Sequence, residues 1–440
     1  MHPGESSKRS VPSALGSGGC IDALPDGVLG HILGFLPAPE AVQTCVLARR
    51  WRHLWRTATG LRIGCCSSED EGRRVKEQRE FVDHLLLLRG SLPLDICEFG
   101  FSELEDDDVP RVNLWFRHVV MSRARVLSLR LHLFFNKFLK LDDLPLVSQH
   151  LTKLDLSSVK LQNSFLSFAS CPALEHLELV YCNLASADKI ASKSLKHLSL
   201  TDCVLLDEPR IYISTPSLVS LHLDSFFGRT PIFDSMPSLV KAFVRITTHC
   251  WDGCSRPDYL DCACLLCDGS DSSQGSSIML LKGLSKAQSL VLISVPEKII
   301  FESDLRWCPM FSNLKTLLLD DYWCTPDDFS ALACILEHSP FLAKLTLELF
   351  SEGPKYEVEM KGRCNLMERS AKISENLNIV EVKCQVVDQR VLKVLKFLCT
   401  FNIRILLRPG QSTLSSLNAS QVLYPWAILW LIRNLTISQA

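Results

Sequence analysis

The chain has 440 residues, room for roughly two to four ordinary domains or for one small domain followed by a long repeat array. Apolar residues make up 47% and charged residues 22%, a globular balance that excludes wholesale disorder. Lys and Arg number 47 against 49 Asp and Glu, a formal charge of −2, which argues against a general nucleic-acid binder and its basic surface.

Residues 1–20 are rich in Ser and Gly and lack the apolar core of a signal peptide, so they read as a disordered leader. The 19 cysteines are odd in number and scattered through Leu-rich segments. A secreted scaffold with that cysteine content is normally short and paired, so these read as reduced, mostly buried thiols of a cytoplasmic or nuclear protein.

Residues 21–60 come first as a module. Leu29, Ile32, Leu33 and Leu36 stand at i, i+3, i+4 and i+7, one stripe of a helix begun at Pro25-Asp26. Pro37 and Pro39 end it and open a second helix with Val42, Cys45 and Val46 on its face. Leu47, Trp51, Leu54 and Trp55 predict a third. So short a cluster cannot bury all these side chains itself, and another part of the chain or a partner must cover some of them. Cys45 shares a face with Val42 and Val46, a burial pattern rather than that of a reactive nucleophile.

The run Leu24-Pro25-Asp26, Leu29, Ile32-Leu33, Leu36-Pro37, Ala41-Val42, Thr44, Val46-Leu47 and Arg50-Trp51-Arg52-x-Leu54-Trp55 resembles the F-box in its plant form. Gly30 and Gly34 depart from it, each weakening helix one by about 1 kcal/mol relative to alanine. The resemblance implies a partner, a Skp-family adaptor and through it a cullin–RING ubiquitin ligase. Docking of this kind is helix-in-groove recognition. The residues expected to meet the adaptor are Leu24, Pro25, Leu29, Ile32, Leu33, Leu36, Trp51 and Leu54, some of which must serve as the module's own core instead.

Residues 61–93 read as a linker with a helix over Phe81 to Leu88, and an array follows over 94–376. An apolar-x-x-apolar-x-apolar pattern recurs at Leu94-Cys97-Phe99, Val126-Leu129-Leu131, Leu151-Leu154-Leu156, Leu174-Leu177-Leu179, Leu195-Leu198-Leu200 and Leu218-Leu221-Leu223. Weaker copies run from Leu239 to Leu377. Starts from Leu151 to Leu239 are 23, 21, 23 and 21 residues apart, within the period of leucine-rich repeats. Cys182 and Cys203 stand eight residues after their repeat's first Leu, where a buried thiol can bond turn backbone. Val112 to Val120 and Asp327 to Leu336 have helical spacing. The fold expected is α/β: a three-helix F-box, then a solenoid of parallel strands with helices on the convex side.

Leu377 to Leu398 resembles the FBD-type C-terminal region of plant F-box/leucine-rich-repeat proteins, a strand followed by a helix, and gives an expected boundary of 377–405. The tail 406–440 is unassigned. Its apolar stretch Val422 to Leu435 is too short to span a bilayer and contains Pro425 and Arg433, so no membrane partner is expected.

Chemistry is sparse. No phosphate-binding Gly-rich loop, HExxH or Gly-x-Ser-x-Gly elbow occurs, and no enzyme activity or cofactor is expected. Cys250-x₃-Cys254 and Cys264-x₂-Cys267 offer four thiols, but their nine-residue separation is short for a zinc ribbon. With His249 and Cys262 they read as an insert with incidental cysteines, and no metal is assigned. The acidic run from Glu103 to Asp108 reads as a solvated loop. Outward strand positions supply the expected target surface: Arg130, Lys153, Asp155, His176, Glu178, His197 and His222, with His132, Ser199, Ser220, Lys344 and Thr346 beside them. The function these readings imply is that of a substrate-recognition subunit holding an unidentified target protein, with no nucleic acid bound. The alternative is an interaction scaffold that binds without delivering a target.

Overall fold

The computed structural model describes residues 21–64, 71–102, 104–133, 137–205, 210–250, 280–295, 305, 308–324, 329–350, 376–399, 403–409 and 421–423. The leader, the cysteines from Cys254 to Cys267 and the tail beyond Leu423 lie outside them.

The N-terminal module is helical, with α1 (Asp26–Leu33) and α2 (Ala38–Gln43), a short 3₁₀ turn at Thr44–Val46, and a 3₁₀ stretch over Arg49–Thr57 where a third α-helix is expected. Leu29, Leu33, Ala41, Trp51, Leu54 and Trp55 form its interior. Arg50 ties the motif's two ends together, its guanidinium 2.6 Å from Asp26 Oδ1 and donating also to the Leu24 carbonyl.

The array follows in chain order. Its first strands and helices are β1 (Gly60–Gly64), α3 (Glu71–Arg89), β2 (Ile96–Ser102), α4 (Val109–Met121), β3 (Val126–His132), β4 (Leu139–Lys140), β5 (Lys153–Ser157) and β6 (Val159–Gln162). Then come β7 (His176–Val180), β8 (Asn183–Ser186), β9 (Lys189–Ala191), β10 (His197–Thr201), β11 (Tyr212–Ser214), β12 (Ser220–Asp224), β13 (Ile232–Phe233) and β14 (Lys241–Ile246). The last part holds α5 (Leu280–Leu284), β15 (Ser289–Ser294), β16 (Thr316–Asp320), α6 (Ser330–Glu337), β17 (Lys344–Leu349), β18 (Ile379–Cys384), α7 (Gln389–Cys399), β19 (Arg404–Pro409) and β20 (Gln421–Leu423).

The principal sheet runs β1-β2-β3-β5-β7-β10-β12-β14-β15-β16-β17-β18-β19-β20. All its pairings are parallel except the last, where β20 runs antiparallel to β19. Parallel neighbours require a crossover at every repeat, which the Leu-rich period supplies. The ladder extends past both ends of the expected span, since β1 lies in the stretch read as linker and β19 and β20 lie beyond residue 403. The strand and helix expected from Leu377 to Leu398 are β18 and α7.

Register explains why the apolar pattern recurs. Leu127, Leu154, Leu177, Leu198 and Leu221 align across successive strands, as do Leu129, Leu156, Leu179, Leu200 and Leu223, all of them buried. The alignment corrects one repeat. Its first position is Ala124, not Val126, so the true copy is Ala124-Leu127-Leu129, two residues earlier than the Leu-based reading. A two-residue slip preserves the inward face, which is why the sequence tolerates both phases. Helices flank the first and last repeats. Between β3 and β14 the return segments instead form two three-stranded ladders, β4-β6-β8 and β13-β11-β9.

Each central strand ends in the same device. Ser158, Tyr181, Asp202 and Ser225 have φ between 51° and 57°, and each N–H donates to a carbonyl of the next strand, for example Tyr181 to Thr201 at 2.9 Å. Left-handed backbone at one residue turns the chain without forfeiting a hydrogen bond. The next residue in two of these turns is Cys182 or Cys203. Each thiol donates back to the preceding strand's carbonyl, to Leu156 and Leu179, at 3.4 Å.

Candidate functional site

Two surfaces come into question. On the first module, the adaptor-facing residues expected from sequence divide into two groups. Leu29, Leu33, Trp51 and Leu54 are packed in the interior, so they hold the module together and present no surface. Pro25 and Ile32 are exposed, and Leu24 and Leu36 are half-buried against the core. The adaptor face expected from sequence left out four apolar side chains that stand open to solvent, Val28, Phe35, Val46 and Leu47 at 44%, 62%, 82% and 68% exposure. Val46 is thereby corrected from the buried face on which it was expected. Val28, Ile32 and Phe35 are spaced i, i+4 and i+7 along and just past α1, a stripe displaced by one residue from the buried Leu29 and Leu33. That offset was the available signal, because a helix with apolar residues on two adjacent arcs has more apolar surface than one core contact uses. Phe35 is steadied by the edge of the His31 ring, 5.0 Å between centroids, and by the Arg62 guanidinium 5.8 Å above it.

The second surface is the outward face of the principal sheet. Arg130, Lys153, Asp155, His176, Glu178, His197 and His222 all lie on it, on β3 to β12. They are not equivalent. Arg130 and His197 are exposed, Lys153, His176, Glu178 and His222 are half-buried, and Asp155 is buried. Lys153 Nζ sits 3.1 Å from Asp155 and Arg130 3.8 Å from it, so Asp155 anchors its neighbours rather than meeting a partner itself. His176 and His197 are register partners whose rings stack at 4.3 Å, 4° from parallel. Burial, with the His176 ring beside it, holds the His197 imidazole below its ordinary value. His222 stacks likewise on Phe243, 4.5 Å apart.

Further along, a second acid is clamped. Glu381 on β18 is buried and meets Lys344 and Arg408, both at 2.9 Å. The hydrogen bond from Lys344 holds its carboxyl below the usual range. Between the two clamps the row aligned with His222 turns apolar, through Phe243, Val291 and Leu318, each half-buried. A search for polar outward residues passes over this seat.

The acidic run is not a free loop. Asp106–Asp108 form a 3₁₀ turn leading into α4, and Asp108 is buried, accepting from the Glu105 N–H at 2.9 Å and pairing with Arg79 at 2.5 Å. Among the described residues no helix is long and apolar enough to cross a membrane.

A helical module with apolar side chains left open, fused to a parallel ladder whose leucines repeat every strand, defines an F-box joined to a leucine-rich-repeat-type solenoid. Residues 21–59 match the F-box domain family. Most of the chain is similar to F-box/FBD/LRR-repeat proteins of Arabidopsis thaliana: one is 26% identical over 77% of this chain and 79% of its own length, another 26% identical over 86% and 89%. An F-box/LRR-repeat protein of the same plant is 26% identical over 74% of this chain and 68% of its own. The chain thus combines an F-box with a leucine-rich-repeat-type ladder.

Proposed function

We propose that this chain is the substrate-recognition subunit of a Skp–cullin–F-box ubiquitin ligase. The observation that carries the reading is the F-box surface: Val28, Ile32, Phe35, Val46 and Leu47 remain in water although the module's interior is already filled. An adaptor groove that removes such side chains from water gains roughly 1.5–3 kcal/mol for each one fully covered. Leu24, Pro25 and Leu36 border that surface in this reading. The outward face of the solenoid then holds the target, with Arg130, Lys153, His176, Glu178, His197 and His222 and the apolar seat at Phe243, Val291 and Leu318 as its contacts. The chain's contribution to ubiquitin transfer is proximity, which raises the local concentration of target at the conjugating enzyme and needs no acid, base or nucleophile here.

The test is co-purification with a Skp-family adaptor, comparing the intact chain with an Ile32→Asp, Val46→Asp double variant. Both positions are exposed, so the variant keeps its fold. Leu33 is unsuitable, because burying a carboxylate there would unfold the module. The expected result is capture by the intact chain and affinity weakened at least about tenfold, about 1.4 kcal/mol, in the variant. Equal capture by both would move the docking face elsewhere. Adaptor capture without ubiquitylation of anything held by the repeats would favour the interaction scaffold.

A further inference from the structure

Three metal-ligating side chains meet where sequence reading placed none. Cys334 lies on α6, His338 caps that helix one turn later, and Cys308 belongs to the segment leading into β16. Their ligand atoms all lie within 4.8 Å of one another, and all three residues are half-buried. We propose that Cys308, Cys334 and His338 form a zinc site that joins two consecutive repeats of the array, with water as the fourth ligand.

The spacing is that of a built site. Cys334 and His338 are i and i+4, hence on one face of the helix. The third donor comes from a segment that is already pinned there: the Phe311 N–H donates to the His338 carbonyl at 2.8 Å, and the Cys334 thiol reaches the Leu305 carbonyl at 3.6 Å. His338 Nδ1 lies 2.8 Å from the Cys334 carbonyl, which can only accept. The proton therefore sits on Nδ1 and Nε2 keeps its lone pair, the arrangement in which a backbone carbonyl orients a coordinating imidazole. Zn–S bonds of about 2.3 Å and Zn–N bonds of about 2.0 Å place tetrahedral ligands roughly 3.5–3.8 Å apart, so any pair of the three needs to close by no more than about 1.3 Å.

Donor chemistry selects the ion. Two thiols and an imidazole suit zinc and disfavour the oxygen-seeking magnesium and calcium. Binding the ion releases the thiol protons to solvent. The site differs from the cysteines between Cys250 and Cys267, which belong to another stretch of the chain.

The experiment measures zinc in the full-length chain co-purified with its adaptor under reducing conditions, alongside Cys308→Ser, Cys334→Ser, His338→Ala and, as the control for the other cysteines, Cys264→Ser. Cobalt(II) titration of each reports thiolate ligation through its charge-transfer absorption, and circular dichroism checks that every variant is folded. The expected result is about one zinc per chain, unchanged in Cys264→Ser and lost from folded Cys334→Ser and His338→Ala, with the cobalt thiolate band lost in parallel. A zinc-free chain that takes up cobalt without that band overturns the proposal. So does zinc retained in Cys334→Ser but lost in Cys264→Ser, or a Cys308–Cys334 disulfide found in its place.

Discussion

Gly34 shows how a residue that looks like a defect in sequence becomes a requirement in space. Inside a helix stripe it reads as a weakening of about 1 kcal/mol. In the fold, a Cβ on Gly34 would lie 2.5 Å from the backbone nitrogen of Gly60, and Gly60 faces Gly34 just as closely. The two glycines let the end of α1 rest directly on the start of β1, where Arg62 also donates to the Gly34 carbonyl. Gly34→Val should therefore destabilise the chain by about 1–3 kcal/mol through overpacking, read as a lower denaturation midpoint. A Gly34→Val chain as stable as the parent would show that the contact is not close. Arg89 completes the junction from the other side, buried and donating to the Ala58 and Pro93 carbonyls. Nothing in the sequence distinguishes it from the surface arginines, because its role depends on a contact 31 residues away. The turn cysteines were legible for the opposite reason, since their partners recur at a fixed spacing.

At the level of elements, strands were legible wherever a large apolar side chain marked the first repeat position and were misphased where Ala124 did. The F-box helices were legible as a stripe, but which arc of α1 faces inward depends on the 3₁₀ stretch packed against it, and no single-helix periodicity contains that. The paired strands β7 and β10 carry a consequence of their own. His197 has its affinity for a proton lowered in the folded chain, so the unfolded chain binds more protons as pH falls through the ordinary imidazole value of 6.5. The contribution is present above that value and is lost as pH drops toward the lower folded value. NMR titration should place His197 below 6.5, and His176→Ala should raise it by removing both cover and a neighbouring charge. A His197 titrating above 6.5 in the intact chain would contradict this.

On the scale of the whole molecule, the F-box is the end piece of the sheet as well as the proposed docking module. Pro37 forms a parallel bridge to Arg62, on the side of β1 away from β2. At the far end the antiparallel β20 lies along β19. Solenoids need their terminal strands covered. A chain beginning at Gly60 should therefore self-associate, seen as a larger species by light scattering, where the intact chain gives a single smaller one. A monodisperse fragment would mean that β1 protects itself.

That junction also turns the solenoid into a ruler. Because α1 rests on β1 without an intervening tether, each strand stands at a set distance from the F-box, in steps of about 4.8 Å. Cargo gripped at the stacked histidines of β7 and β10 is held roughly 20–25 Å along the ladder from β1, and cargo gripped near the Glu381 clamp on β18 roughly 50 Å along it. Under the proposed function, two proteins bound to the same face would present different lysines to the same conjugating enzyme, and address along the array, as much as affinity for it, would decide which side chain is modified.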